Sequence, residues 1–258
     1  MDINIFKEIT GQGKELVILH GWGGCNHKHM QPIVDQLAGR YKIMNFDLPG
    51  QGHSDWHPDI LDMNAIVNQL LVSLPEQAIY LGWSFGGQLA MSIAANYPER
   101  VNRLIGIGTT PRFITNDHWP GIPEPGFKSS FTSGIKQKGW QSFMTEWFSA
   151  EFADFEPKPA AYHKLVSWLT EDYPRVNLEI LFKGIDISDA TDLRKSFQTI
   201  RCPIDLIFGE RDDSILNESH KKIKALNSNV NVHTISKARH MPFWTHSQEF
   251  NQILNHIL

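Results

Sequence analysis

The sequence predicts an α/β fold in which a mostly parallel central sheet is covered by helices on both faces. Two observations lead to this fold class. Short apolar runs typical of buried strands alternate with segments of helical periodicity from one end of the chain to the other. One long interruption, which is rich in aromatic residues, breaks this alternation once. Strands that alternate with helices imply right-handed crossovers and therefore a mostly parallel sheet.

The elements follow from local patterns taken in chain order. Apolar β-type runs predict strands at residues 15–19, 41–46, 78–81, 103–107, 204–208 and 230–235. Apolar residues at three-to-four spacing predict helices at residues 30–37, 63–74, 88–97 and 218–226, with a closing helix from residue 248. The core domain is therefore expected to combine residues 1–111 and 184–258.

The interruption covers residues 112–183. It opens with a turn-rich stretch at 119–126, and the remainder has a helical pattern. Because a structureless loop of this length is improbable in a compact domain, we expect a helical insertion. We interpret it as a cap over the carboxyl edge of the sheet, where ligands bind in open α/β sheets. The alternative is an aromatic-rich subdomain that packs only on itself.

Composition narrows the function classes. The 258 residues carry a net charge of −4, which gives no general attraction to nucleic acid or to an anionic membrane. No apolar run approaches the roughly 18 residues of a membrane helix, and the first residues do not resemble a signal peptide. The two cysteines, Cys25 and Cys202, suggest neither a disulfide framework nor a zinc site. We expect a cytoplasmic monomer without metal, cofactor, nucleic acid or membrane.

The most informative motif is a serine between two glycines, Gly82-Trp83-Ser84-Phe85-Gly86. It follows a predicted strand and precedes a predicted helix, which is the context of a nucleophile elbow. Side chains at the two glycine positions would collide with the neighbouring strand and helix. The pattern alone arises by chance in roughly one chain in ten of this length, so its context carries the interpretation.

A serine nucleophile needs a histidine base and a carboxylate that orients it, in the chain order serine, acid, histidine. His240 follows the last predicted strand and is the preferred base, while His246 is a rival just ahead of the final helix. The acid is expected after the preceding strand. The Gly-x-x-Asp spacing from Gly209 selects Asp212, and Asp213 is the alternative.

Acyl transfer also needs hydrogen-bond donors for the oxyanion. One is expected from the backbone N–H of Phe85, at the start of the helix after the nucleophile. The second is expected from Trp22, in the glycine-rich loop after the first predicted core strand. The preceding His20 is interpreted as a structural hydrogen-bonding residue, and the turn that contains His53 is also assigned a structural role.

These motifs together resemble the α/β-hydrolase superfamily over the whole chain. Within it, the sequence is similar to the pimeloyl-[acyl-carrier-protein] methyl ester esterases of biotin synthesis. The resemblance is carried by the stretches at 19–23 and 81–84, by the cap entrance at 117–122 with its Trp-Pro-Gly-Ile element, and by 237–243. It implies hydrolysis of a methyl ester on a pimeloyl chain borne by acyl-carrier protein, giving the free acid and methanol.

The resemblance also implies a substrate-binding set. The ester would lie beside Ser84, Trp22, Phe85 and His240, with the acyl chain along the cap at Phe148, Ser149, Ala150, Glu151 and Phe152.

One departure from the family concerns the carrier protein. The family's cap carries arginines that meet this acidic partner, whereas the corresponding positions here are Phe143 and Trp147. Acidic and basic residues nearly balance across 112–183, so the carrier-protein partner rests on resemblance alone. A general short-chain esterase, a C–C bond hydrolase and a non-catalytic binding protein of the same fold are the alternatives. An aspartate in place of Ser84 would be expected of a dehalogenase or an epoxide hydrolase.

Overall fold

A seven-stranded sheet forms the centre of the computed structural model, which describes residues 3–60, 62–116, 118–123, 126–171 and 176–258. The strands are β1 (Lys7–Thr10), β2 (Lys14–Leu19), β3 (Tyr41–Phe46), β4 (Ala78–Trp83), β5 (Val101–Ile107), β6 (Ile204–Gly209) and β7 (Val230–Ile235). Their order in the sheet is β1-β3-β2-β4-β5-β6-β7. Strand β1 pairs antiparallel with β3, and the other neighbours are parallel. The predicted mostly parallel α/β fold is confirmed.

The edge strand β1 was not predicted from the sequence. Its four residues include two charged side chains and no apolar run, and Ile9 is 54% exposed. A short edge strand of this kind is held by pairing with its neighbour, so its own sequence gives little β signal.

Helices lie on both faces of the sheet. The helices are α1 (Gln31–Leu37), α2 (Met63–Leu71), α3 (Phe85–Asn96), α4 (Gly126–Lys138), α5 (Trp140–Glu151), α6 (Ala160–Glu171), α7 (Leu178–Ala190), α8 (Arg194–Phe197), α9 (Asn217–Leu226), α10 (Pro242–Thr245) and α11 (Ser247–Ile257). Helices α2, α3 and α9 contribute to one apolar core, and α1 and α11 contribute to the other. None of the helices in the described ranges is both long and apolar enough to cross a membrane.

Four helices, α4 to α7, occupy the segment in which the sequence predicts a helical insertion. Helix α7 begins beyond Asn177, whose side chain accepts hydrogen bonds from two backbone amides of the first turn. It continues to Ala190, past the boundary predicted at residue 183. The predicted boundary lies where the aromatic-rich stretch ends, which is inside α7. The buried face of α7 continues beyond that point through Ile185 and Ile187.

The Trp-Pro-Gly-Ile element, residues 119–122, lies alongside residues 112–116 at the start of the insertion. The amide of Ile122 donates to the Phe113 carbonyl at 2.8 Å, and the Trp119 indole donates to the Arg112 carbonyl at 2.8 Å. A Cβ on Gly121 would lie 2.4 Å from the Phe113 oxygen, so only glycine fits there. Asp117, also part of the predicted cap entrance, lies outside the described residues.

Candidate active site

Ser84 lies at a sharp turn between β4 and α3, as the elbow motif predicts. Its backbone angles, φ 54° and ψ −122°, fall in a region that residues with a side chain rarely adopt. A Cβ on Gly82 would lie 2.3 Å from the Gly86 carbonyl oxygen, and one on Gly86 would lie 2.2 Å from the Leu19 carbonyl oxygen. Both glycines are therefore required for the close approach of backbone that forces Ser84 into this conformation.

His240 and Asp212 form a buried pair at the carboxyl ends of β6 and β7. The distance from His240 Nδ1 to Asp212 Oδ2 is 2.7 Å, and the other carboxylate oxygen accepts from the Ser214 amide at 2.8 Å. Burial alone would lower the pKa of His240, but the charge and hydrogen bond of Asp212, together with the charge of Glu151, outweigh it and raise this pKa above its usual value. The carboxylate therefore fixes the imidazole orientation and favours its charged form.

The rival residues from the sequence analysis have different surroundings. Asp213 is 95% exposed and contacts Arg239 at 3.5 Å. His246 lies at the start of α11, where its Nδ1 lies 2.9 Å from the Thr245 hydroxyl. The structure therefore pairs His240 with Asp212. Asp213 and His246, the alternatives for the acid and the base, contact other residues.

Trp83 links the serine turn to the histidine. Its indole N–H donates to the His240 carbonyl at 3.0 Å, and the ring centroids of Trp83 and His240 are 5.6 Å apart. Since Ser84 is the next residue, the serine and the imidazole belong to adjacent parts of one packed unit. A Cβ on Gly108, after β5, would lie 3.0 Å from the imidazole, so glycine leaves room for the ring. The sequence analysis assigned no role to Trp83 or Gly108.

The segment 236–241, called the His240 loop below, is also tied to the segment 210–214, the Asp212 loop. The Glu210 carboxylate accepts hydrogen bonds from the Ser236 hydroxyl and the Lys237 amide, both at 2.9 Å. These bonds lower the pKa of Glu210, whose carboxylate is fully exposed. Lys237 has a positive φ of 61°, a conformation that the bond from its amide helps to hold.

The loop after β2 lies against Ser84, where the sequence predicts an oxyanion site. A Cβ on Gly21 would lie 3.3 Å from Ser84 Cβ. The Trp22 ring meets the Phe85 ring edge-on at 5.3 Å, and its indole donates to the Leu181 carbonyl at 2.8 Å. Among the described residues, the backbone amides of Trp22 and Phe85 donate to no protein acceptor. Both amides are therefore available to an oxygen bound beside Ser84.

A small cavity of about 60 Å³ opens beside Ser84. Its described lining comes from the β2 and β4 loops and from the insertion: Trp22, Gly23, Ser84, Phe85, Phe113, Phe131, Ile185, Ser188 and Asp189. The insertion thus contributes one wall through α4 and α7. A cavity of this volume holds a few water molecules, so a longer ligand requires side chains of the insertion to shift.

The predicted acyl-binding segment, 148–152, does not contribute to this cavity. Phe148 and Phe152 are fully buried, and they join the apolar core that also contains Met241 and Phe243. The Ser149 hydroxyl lies 2.8 Å from the Tyr162 hydroxyl, and Ala150 is exposed. Helix α5 is amphipathic and buries its apolar face beside the His240 loop, so these side chains pack within the protein. Their contact with an acyl chain stays a prediction.

Glu151 has a role that the sequence analysis did not foresee. It is 7% exposed, and its carboxylate accepts a hydrogen bond from the Met241 amide at 2.9 Å. Burial raises its pKa to about 7. A single glutamate on an amphipathic helix gives no local signal that its partner lies 90 residues away in the chain.

His20 is a structural residue, as predicted. Its Nδ1 donates to the Gly21 carbonyl at 2.6 Å, and its Nε2 accepts from the Leu48 amide at 3.0 Å. Burial lowers its pKa to about 4, so the ring is neutral at physiological pH. The turn that contains His53 is similarly structural, since the His53 amide donates to the Asp47 carboxylate at 2.8 Å. In the described part of the chain, no group of three or more His, Cys, Asp or Glu side chains is placed to hold a metal ion.

Comparison with known proteins supports the observed fold. The alpha/beta hydrolase fold family matches residues 15–247. A pimeloyl-[acyl-carrier protein] methyl ester esterase from Vibrio parahaemolyticus is 32% identical and aligns with 97% of this chain and 96% of its own length. The protein of the same name from Aeromonas hydrophila is 30% identical, covering 99% and 100% respectively.

A solved structure supports the fold. The chain superimposes on an esterase from Exiguobacterium antarcticum with a TM-score of 0.83 and 21% identity, covering 99% of this chain and 95% of that one. At this identity the likeness concerns the fold alone. The matched family and the full-length relatives agree with the observed α/β fold. The chain therefore belongs to the alpha/beta hydrolase fold family, in which it is a relative of the pimeloyl-[acyl-carrier protein] methyl ester esterases.

Proposed function

We propose that this protein is a serine carboxylesterase that hydrolyses the methyl ester of pimeloyl-[acyl-carrier protein] in biotin synthesis. The observation that carries the proposal is the buried His240–Asp212 pair, packed through Trp83 against the strained serine of the elbow. The full-length relatives of that name supply the substrate class. The protein is expected to act as a cytoplasmic monomer without a cofactor, with residues 112–183 serving as its cap.

The proposed mechanism has two steps. The Ser84 hydroxyl attacks the ester carbonyl carbon while His240 takes its proton, and the oxyanion accepts hydrogen bonds from the amides of Trp22 and Phe85. His240 then gives the proton to the leaving oxygen, and methanol departs. Water attacks the acyl-enzyme with His240 as base, which releases the carboxylate product and restores Ser84. Asp212 orients the imidazole and stabilises the imidazolium throughout.

The two cap positions at which the family carries arginines, here Phe143 and Trp147, favour a contact with acyl-carrier protein that differs from the family pattern. Trp147 packs edge-on against the His240 ring with centroids 6.0 Å apart, and Phe143 packs edge-on against Phe131 at 4.7 Å. These two positions therefore contribute to the packing around the site. Contact with acyl-carrier protein would have to involve other cap residues, such as the exposed Lys136 and Lys138.

A general short-chain esterase is the second candidate, and the small cavity favours it. About 60 Å³ accommodates a short acyl group without rearrangement, whereas a seven-carbon chain needs the side chains of the insertion to move. A C–C bond hydrolase would use the same three residues on a bulkier substrate.

Substrate competition separates these functions. We expect the purified protein to hydrolyse methyl pimeloyl-[acyl-carrier protein] with a kcat/KM at least about 100-fold above that for p-nitrophenyl acetate, because remote contacts lower the barrier for the proper substrate. The protein should also restore growth without biotin to a strain that cannot demethylate the precursor, and its Ser84→Ala form should not. A preference for p-nitrophenyl acetate would favour the short-chain esterase, and a preference for aromatic dienoates would favour the C–C hydrolase.

A further inference from the structure

The last turn of α5 carries a buried carboxylate that contacts the His240 loop. Glu151 accepts a hydrogen bond from the backbone amide of Met241, the residue directly after His240, at 2.9 Å. Met241 is fully buried, so its amide has no access to bulk water. Without this acceptor, the amide would be a buried donor without a partner.

The same helix covers the imidazole itself. Trp147, one turn before Glu151, packs edge-on against the His240 ring with centroids 6.0 Å apart. The Trp83 ring also contacts this histidine at 5.6 Å, and its centroid is 6.3 Å from that of Trp147, so the three rings form one cluster. Helix α5 therefore restrains both the ring and the backbone of His240.

A second contact joins the segment directly after α5 to the Asp212 loop. The Asp154 carboxylate lies 2.6 Å from the Arg211 guanidinium, and Arg211 immediately precedes Asp212. This ion pair is half-exposed, so it is expected to contribute little to stability. Together with the buried Glu151 contact, it places the C-terminal end of α5 and the residues just after it against both loops that carry the proposed base and acid.

The charges around Glu151 come from these two loops. Burial raises the pKa of Glu151 to about 7, with His240 and Arg239 acting to lower it and Asp212 acting to raise it further. In turn, the Glu151 charge is one of the interactions that raise the pKa of His240, together with the stronger effect of Asp212. Near neutral pH the Glu151 carboxyl and the imidazole therefore titrate as an interacting pair.

We propose that Glu151 is a positioning residue, which holds the His240 loop in place and whose negative charge stabilises the imidazolium form of His240. This inference rests on the proposed function, in which His240 is the base. It reassigns Glu151 from contact with substrate to contact with the backbone directly after His240. Helix α5 would thereby help to set the pKa of His240.

Three variants test the proposal through the pH dependence of kcat/KM for p-nitrophenyl acetate. Glu151→Gln keeps a hydrogen-bond acceptor and removes the charge. Loss of the charge lowers the pKa of His240, so the acid limb of the profile should move to lower pH, by on the order of one unit. Glu151→Leu also removes the acceptor, and its kcat should fall about tenfold more than that of Glu151→Gln.

Glu146 provides the matched control on the same helix. Its carboxylate pairs with Lys138 at 2.5 Å on the surface and is 59% exposed. Glu146→Gln should leave both kcat and the acid limb unchanged. An acid limb of Glu151→Gln that coincides with those of the wild type and of Glu146→Gln would overturn the proposal, whatever the kcat of Glu151→Leu.

The titration of the His240 imidazole by NMR separates this proposal from the proposed function. In the Ser84→Ala background, Glu151→Gln should lower the pKa of His240 by a similar amount, although no turnover is measured. If Ser84→Ala retained activity, the esterase mechanism would fail while the NMR result still decided the role of Glu151. An unchanged His240 titration would refute that role.

Discussion

Replacing Ser84 by alanine should lower kcat by a factor on the order of 10⁴ to 10⁶, because the variant has no hydroxyl to form the acyl-enzyme. Any remaining activity would come from the oxyanion donors and from substrate binding. KM should change little, since Ser84 contributes only part of the wall of the cavity. Steady-state kinetics with methyl pimeloyl-[acyl-carrier protein] measure both constants.

The fold of this variant should be preserved. Ser84 adopts a positive φ because of the close backbone contacts at Gly82 and Gly86, and alanine retains the same backbone. Unchanged circular dichroism and an unchanged melting temperature, within a few degrees, would therefore show that lost activity reflects lost chemistry. Retention of more than a tenth of wild-type activity by the folded variant would refute Ser84 as the nucleophile.

Replacing Asp212 by asparagine should lower kcat by a factor on the order of 10³ to 10⁴. Asparagine has nearly the same shape, but it removes the charge that stabilises the imidazolium and no longer fixes the tautomer of His240. Without the carboxylate, the pKa of His240 should also fall, because Asp212 is the strongest influence that raises it. The kinetics should therefore show a lower kcat together with an acid limb displaced to lower pH.

Asp213 offers a matched control one residue away. Its side chain is 95% exposed, and its nearest cation, Arg239, lies at 3.5 Å. Because such exposed pairs contribute little, Asp213→Asn should keep kcat within about twofold of wild type. A larger loss in Asp213→Asn than in Asp212→Asn would transfer the role of the acid to Asp213.

The sheet and the elbow could be predicted because their signals are local. The apolar runs at β3 and β7 predict the strands that the structure shows, and Gly82 and Gly86 indicate the tight turn around Ser84. The spacing from Gly209 led to Asp212, which the structure places beside His240. In each instance a short stretch of sequence sets its own conformation.

The surroundings of the site could not be predicted in the same way. The Glu151–Met241 bond and the Trp83–His240 bond join segments 90 and 157 residues apart, and neither glutamate nor tryptophan indicates its partner locally. The described lining of the cavity beside Ser84 also includes residues of α4 and α7 that no local pattern indicated. An amphipathic helix shows which of its faces is buried but not what covers that face.

Covalent trapping of the nucleophile tests the central claim most directly, namely that Ser84 is activated by His240. The protein would be incubated with a fluorophosphonate ester, and the labelled peptides would be identified by mass spectrometry. We predict one adduct per chain, located on Ser84, and a labelling rate at least about 100-fold slower in a His240→Ala variant. An adduct on another residue, or undiminished labelling of Ser84 in the His240→Ala variant, would contradict the account.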